Sequence, residues 1–419
     1  MAIFNQDSNP SEGSGLGVPS PVPTTIIKVM GLGGGGANAV DRMVQFGIEG
    51  VEFIAANTDI QALTRNEAPQ KILLGAEFTR GHGSGGDPTV GETAAYESRK
   101  EIEESLEGTD MLFIACGMGG GTGTGSAPVV AQIARELDAV TVAVVTMPFA
   151  FEGPTRYQNA LQGIGQLQIN CDTLITVPND RLLQIVPKHV SLDVAFRMAD
   201  DVLRQGIQAI TELVTRPGLI NVDFADVSEL LNRSGGAMLA IGHGKGENRC
   251  MEAVRSALHH PLQDFSALNH ATGLLVHFTS GVDLPLDEMT GAIDEIRGAV
   301  APKAEVSLGV ALEEQYGERV QIILLATGVG GHALETVLAE RSTNYELQNA
   351  WRDYEHEQET QPEDSLSFAE PLAEQDEVID EVRRPSAEPF PYNVSPFDLD
   401  TPAFLRRQRI SNSVDRNKF

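Results

Sequence analysis

The stretch Gly117-Met118-Gly119-Gly120-Gly121-Thr122-Gly123-Thr124-Gly125-Ser126-Ala127-Pro128 constrains this chain more than any other. Before it runs a short apolar segment, Met111 to Ala115, which reads as a buried strand. After it, Val129 to Leu137 carries apolar residues at helical spacing. The glycines therefore sit at a strand-to-helix turn. Such a turn lets backbone N–H groups approach a phosphate, and the helix N-terminus adds partial positive charge. Glycine suits the turn because amides pointing one way form a concave nest, often with φ > 0, where a Cβ would block the anion. Thr122 and Thr124 add hydroxyl donors without adding charge. A lone G-x-G would be read as a bare flexible turn; this denser run favours a phosphate site.

Composition narrows the class. A chain of 419 residues suggests two or three domains, and 41% hydrophobic residues can build ordinary cores. Three scattered cysteines, Cys116, Cys171 and Cys250, show neither C-x-x-C nor zinc-finger spacing, which fits a reduced cytosol without a disulfide framework. A formal net charge of −29 argues against broad binding to nucleic acid or anionic lipid. The first residues lack the pattern of a signal peptide, and no stretch is apolar enough to span a membrane.

Residues 1–24, rich in Ser, Pro and Gly, read as a disordered N-terminal segment. Ile26 to Met30 is a strand that runs into Gly33-Gly34-Gly35-Gly36-Ala37-Asn38, a second glycine turn, and a helix to Phe46 follows. Val51 to Ala56 is the next strand, ending in Asn57-Thr58-Asp59. This opening is that of a dinucleotide-binding fold, and Asp59 falls where a dehydrogenase keeps its ribose acid. An NAD-dependent oxidoreductase is therefore one rival. Two features weigh against it: a run of four glycines replaces a clean G-x-G-x-x-G, and a dehydrogenase has no use for a second, richer phosphate loop. No Walker A loop is present.

Further along come a loop from Thr79 to Pro88, in which His82 reads as solvated, and a charged helix from about Pro88 to Leu106. Strands at Val140 to Thr146 and Leu174 to Val177 complete repeated strand–loop–helix units, implying a mainly parallel sheet covered on both faces. Ser191 to Val214 reads as a long buried helix, and Arg216 to Val227 as a turn into another helix. Beyond about 229, strands such as Gly273–Thr279, Glu305–Val310 and Val320–Ala326 alternate with helices. Residues 345–398 are dense in Glu, Gln, Asp and Pro, and Pro402-Ala403-Phe404-Leu405-Arg406-Arg407 forms a small apolar and basic cluster at the end of that tether.

These segments resemble, in order, the FtsZ family of bacterial tubulin-like division GTPases over roughly residues 26–330. The run at 119–125 is the signature loop of that family. The first glycine loop, Asn57-Thr58-Asp59, Phe151-Glu152-Gly153, Asn221 to Val227 and the tail Pro402 to Leu405 all agree with it. The resemblance implies an α/β, tubulin/FtsZ-like fold: a Rossmann-type parallel-sheet GTPase domain joined by a long central helix to a smaller α/β domain, with disordered termini. The implied boundaries are 25–190 for the GTP-binding domain, 191–214 for the central helix and 215–335 for the C-terminal domain. An acidic linker at 336–398 and an adaptor-binding peptide with basic tail at 399–419 follow.

The resemblance further implies that GTP or GDP lies on Gly34, Gly35, Gly36, Ala37 and Asn38 and on Gly120, Gly121, Thr122, Gly123, Thr124 and Gly125. Asp200 would accept the paired N1–H and N2 amino donors of guanine, which adenine lacks. Phe196, one helical turn earlier, would stack on the base, and Glu152 and Arg156 would lie on the ribose side. Mg²⁺ would be held through the phosphates with no dedicated protein cage, and a monovalent cation is a further candidate. Asn221, Asp223 and Asp226 would form a catalytic loop at the far end of the subunit, completing the neighbour's site in a head-to-tail filament. Asp223 or Asp226 would otherwise simply cap the following helix. The implied partners are further copies of the chain, membrane-tethering division adaptors such as FtsA bound through residues 400–408, and other division-ring proteins. No nucleic acid is implied, and the place of action is the cytoplasm, at the inner face of the membrane where division occurs. A non-hydrolysing tubulin-like scaffold is the second rival. Departures from the family pattern are Ala37, Ser126, His82, Met147 and Pro154.

Overall fold

The computed structural model describes residues 25–185, 190–215, 218–220, 222–232, 235–259 and 265–329. Its first half runs β1 (Ile27–Leu32), α1 (Gly33–Phe46), β2 (Glu52–Asn57), α2 (Ile60–Arg65), β3 (Gln70–Leu73), α3 (Ala76–Thr79), α4 (Pro88–Glu97), α5 (Arg99–Leu106), β4 (Met111–Gly117), α6 (Thr122–Glu136), β5 (Val140–Met147), α7 (Pro154–Asn170), β6 (Thr173–Pro178) and α8 (Asn179–Ile185). The long helix α9 (Leu192–Thr215) follows, then α10 (Phe224–Leu231), β7 (Gly235–Lys245), α11 (Arg249–Leu258), β8 (Gly273–Ser280), α12 (Leu286–Ala299), β9 (Glu305–Leu312) and β10 (Arg319–Thr327). Among the described residues, ten strands form one sheet in the order β3-β2-β1-β4-β5-β6-β7-β10-β8-β9. Strands β1 to β7 pair in parallel, so their carboxyl ends share one edge. β10 runs antiparallel to both of its neighbours.

The apolar runs of β1, β4 and β5 are buried along their whole length because helices cover both faces. On one face, Val29, Phe113 and Val144 pack with α1 (Val40, Met43), α9 (Leu203, Ile207, Ile210) and α10 (Val227, Leu230). That same core takes in Leu275 and Ile323 from the C-terminal half, so α9 backs both halves of the sheet. On the other face, Met30, Ile114 and Val145 pack with α4, α5, α6 and α7 through Ala94, Ile102, Val130 and Ile164. A further core joins α11 and α12 to β8, β9 and β10. This is the tubulin/FtsZ-like fold expected from the resemblance.

Two local expectations need correcting. The charged helix over 88–106 is two helices, α4 and α5, broken at Ser98, whose φ and ψ are −90° and 15°. Ser98 Oγ instead receives the Gly75 N–H at 3.0 Å, a tertiary contact that no local pattern announces. The helices after both glycine runs start earlier than their apolar residues suggest, at Gly33 and Thr122, so glycines form their first turns. β3 and β7 carry too little alternation to be read from the sequence. The three cysteines are free; burial pushes the Cys116 thiol up to about 12, so it is no nucleophile.

Candidate functional site

The loops after β1, β4, β5 and β6 meet at the carboxyl edge of the parallel sheet, where open α/β sheets bind ligands. The two glycine runs touch there. A Cβ placed on Gly33 would stand 2.8 Å from the Gly123 nitrogen, and one on Gly35 would stand 3.3 Å from the Gly117 nitrogen. Most of the glycines serve close packing rather than unusual backbone angles, which corrects the expectation of a φ > 0 nest. In the second run only Gly119 has positive φ, at +95°. Gly125 is required because its Cβ would lie 2.0 Å from the Pro88 carbonyl oxygen, and Gly91 answers it with 2.4 Å to Gly121 O. These glycines let α4 lie backbone to backbone on α6. By contrast, a Cβ on Gly34 or Gly120 would meet nothing within 4 Å. Those two positions face the open edge, above the first turns of α1 and α6, whose leading N–H groups have no partners within the helix. The cradle fits a phosphate chain.

The threonine hydroxyls are less available than expected. Thr122 Oγ1 lies 2.6 Å from Thr58 Oγ1 and 3.0 Å from Ser84 Oγ, and Thr124 Oγ1 accepts the Gly119 N–H at 2.8 Å. They brace the loop against its neighbours. Ser126 Oγ donates back to Thr122 O at 2.7 Å, and Ala37 is buried, so both departures are accommodated in packing. His82 is exposed, as expected.

Beyond β5, Glu152 accepts the Phe149 N–H at 2.8 Å through Oε1 and pairs with Arg156 through Oε2. The Arg156 backbone also lies against Gly119, so this turn is fastened to the second glycine loop. Phe149 and Phe151 stack at 5.0 Å, and Phe196 on α9 meets both edge-on, at 5.4 and 6.3 Å. Phe196 keeps 38% of its surface exposed. One turn on, Asp200 is only 8% exposed and pairs with Arg42 of α1 at 3.2 Å. Arg42 lies one turn from the exposed Asn38, on the same side of α1. Burial pushes the Asp200 carboxyl up to about 7, against the opposing pull of Arg42. The adjacent Asp201 is different: its carboxylate receives Arg204 Nε and Gln205 Nε2 at 2.6 and 2.7 Å along α9.

Sequence reasoning missed three contributors: Arg42, the Phe149–Phe151 pair, and Asn179. The Asn179 side chain is buried, and its Oδ1 has no hydrogen-bond partner, at the carboxyl end of β6 beside the loops. A buried acceptor without a partner is open to a group placed at that edge. Its place directly after a strand, like that of the glycine runs, was the available signal.

Asp223 and Asp226 lie elsewhere. Asp223 is the N-cap of α10 and accepts the Asp226 N–H at 2.8 Å; both residues are exposed. α10 ends where Thr173 Oγ1, at the amino end of β6, donates to Leu231 O at 2.6 Å. α9 spans the distance between the two regions, beginning beside Phe149 and ending with Thr215 against Gly50, ahead of β2. Asn221 lies outside the described residues, as do the segments at 1–24 and 336–419. Asp59 caps α2 by accepting the Gln61 and Ala62 N–H groups, and so does not offer a free ribose acid.

The sequence matches the Tubulin/FtsZ family GTPase domain over residues 26–187 and the FtsZ family C-terminal domain over 235–330. An empty FtsZ dimer from M. jannaschii is 45% identical with a TM-score of 0.69, over 73% of this chain and 88% of that one. A GTPγS-bound protofilament of CetZ2 from Haloferax volcanii has a TM-score of 0.67 at 21% identity, over 78% of this chain and 100% of that one, a likeness of fold. The dinucleotide reading has no support left. With both halves matched in order and a 45%-identical FtsZ covered along most of its length, this chain belongs to the FtsZ family of tubulin-like GTPases.

Proposed function

We propose that the chain binds GTP at the carboxyl edge of the sheet, polymerises head to tail, and hydrolyses GTP at a site completed by the neighbouring subunit. The observation that carries this reading is the separation of the two half-sites. The 24-residue helix α9 lies between them, about 36 Å at 1.5 Å per residue, so one chain does not bring Asp223 or Asp226 to its own glycine loops. An FtsZ relative that forms a dimer and a CetZ2 that forms a protofilament support assembly as the solution.

In this reading the backbone amides of Gly34–Gly36 and Gly120–Gly125 hold the phosphates, with Ala37, Thr122 and Thr124 shaping the cradle. Glu152 and Arg156 flank the ribose, Asn38, Asn179 and Asp200 contact the base, and Phe196 stacks on it. Arg42 pulls the Asp200 carboxyl toward its ionised form, against burial, and orients it as a double acceptor. Mg²⁺ supplies charge neutralisation at the phosphates, with a monovalent cation as a further candidate. Across the subunit boundary, Asp226 orients and polarises the attacking water. Asp223 holds Asp226 in place through the cap, and Asn221 completes the set. Filaments of this kind would form the division ring at the membrane's inner face. The peptide at 400–408, outside the described residues, would bind tethering adaptors such as FtsA.

GTP turnover per subunit, measured across protein concentration with pelleting in the same samples, tests the reading. Turnover should appear only above a threshold concentration, together with polymer. Constant turnover per subunit down to dilute monomer would overturn it.

A further inference from the structure

Ahead of α10, the segment that carries the proposed catalytic acids is attached to the sheet through β9. Leu219 N–H and Ile220 N–H both donate to Val310 O on the edge strand β9, and Val310 N–H donates back to Ile220 O at 3.0 Å. The next described residue, Val222, is 7% exposed and immediately precedes Asp223. Its side chain rests in a hollow over Gly309. A Cβ built there would stand 2.9 Å from Val222 Cγ2 and 2.4 Å from Nδ1 of His277. His277 lies on β8, with Gly309 as its register partner on β9 and Ile323 on β10. The imidazole therefore lies across the neighbouring strand's bare glycine and walls the seat of Val222.

A hydrocarbon would fill that place more cheaply. His277 is 7% exposed and its Nδ1 has no hydrogen-bond partner. Burial pushes it down to about 4, with Glu313 opposing that shift, so the ring is neutral at assembly pH. A flat, neutral ring held over a glycine gives a shape that a branched side chain would not reproduce. One orphaned ring nitrogen is its energetic cost.

We propose that His277 is a positioning residue for GTP hydrolysis: its imidazole, seated over Gly309, sets the height of Val222 and hence the placement of Asp223 and the Asp226 it caps. This rests on the assignment of those acids to the neighbour's site. His277 touches no nucleotide. It acts through the packing over Gly309, from the half of the chain that carries no glycine loop.

Two substitutions disturb the seat from opposite sides, and their combination tests the contact. In the full chain, His277→Ala leaves a hollow, Gly309→Ala drives a methyl group into the ring and against Val222 Cγ2, and the double variant removes the clash with the ring. Turnover is measured at saturating GTP per pelleted subunit, with GTP affinity measured on dilute protein. Each single variant should lower turnover about tenfold with affinity unchanged, and the double variant should recover part of the loss of Gly309→Ala, because the ring clash is gone and only the contact with Val222 remains. Unchanged turnover in the single variants overturns the proposal, as does a double variant no better than Gly309→Ala. His277→Gln, close in size and neutral, covers the case in which His277→Ala fails to fold, and it should retain more than half of the turnover; a tenfold loss counts against the seat. Asp226→Ala run beside them separates the two ideas. If it alone loses turnover, only the role of His277 fails; if it keeps turnover, the assignment of the loop itself fails.

Discussion

The glycine loops and the segment at the far end of α9 are built in opposite ways. At the carboxyl edge, the glycine loops are locked by backbone meeting backbone: α4 lies on α6 at Gly91, Gly121 and Gly125, and Gly33 lies against Gly123. Beyond the far end of α9, the segment carrying Asp223 and Asp226 is placed by a bridge to an edge strand, a buried valine, a helix cap and the packing of Val227 and Leu230 into the core. A cradle that must present several amides at once gains from rigidity, because each mobile loop would have to be ordered again on binding. A loop that, as proposed, works when a second subunit arrives would need placement rather than a preformed pocket. Under the proposed function, this difference would make binding and hydrolysis separately breakable.

The largest effect is expected from Gly125→Ala. Its methyl group meets the Pro88 carbonyl and the Glu92 nitrogen, neither of which yields like a flexible side chain. Overpacking against backbone should cost about 3 kcal/mol or more and abolish GTP binding, as thermal unfolding and nucleotide titration would show. If stability and binding are both retained, the cradle is softer than its packing indicates. Next comes Asp226→Ala, expected to lower turnover about a hundredfold while GTP binding and pelleting persist. Normal hydrolysis in its filaments would remove the distinction between the two regions.

Asp200 offers a test by pH. Burial pushes its carboxyl up to about 7, well above the ordinary carboxylate range. Only the ionised form accepts both guanine donors, so GDP affinity should rise about tenfold from pH 6 to pH 8. The sign for stability is the reverse. The folded state holds this proton more tightly than the unfolded chain, so the group's contribution is full below about 4 and is lost as pH rises through about 7. Asp200→Asn should weaken binding and flatten the pH profile of affinity; a profile that keeps its slope would assign the titration elsewhere. The smallest effect belongs to Gly120→Ala. That position is open, so stability should stay within about 0.5 kcal/mol while nucleotide affinity falls severalfold. An unchanged affinity would mean the open face is not the phosphate side.

The strands of the parallel half were legible because burial on both faces leaves continuous apolar runs, as in Met111 to Ala115. The glycine runs were legible as a phosphate cradle, but the reason for each glycine was not. Whether a glycine serves a positive φ or the approach of another helix depends on what lies opposite, and Pro88 stands far from Gly125 in the sequence. Asn179 and Arg42 escaped for the same reason. A single asparagine after a strand and a single arginine on a helix carry no pattern until a buried environment singles them out.

From its residues alone, this chain determined its strand-and-helix alternation, the chemistry of its glycine turns and its family, because these depend on local periodicity and on short unbroken motifs. Tertiary structure decided the rest. It put the glycine loops in contact, buried Asp200 beside Arg42, and set Asp223 and Asp226 at the far end of α9 above His277. Each of those arrangements joins residues that are remote in sequence, and only the packing of helices onto the sheet brings them together or holds them apart.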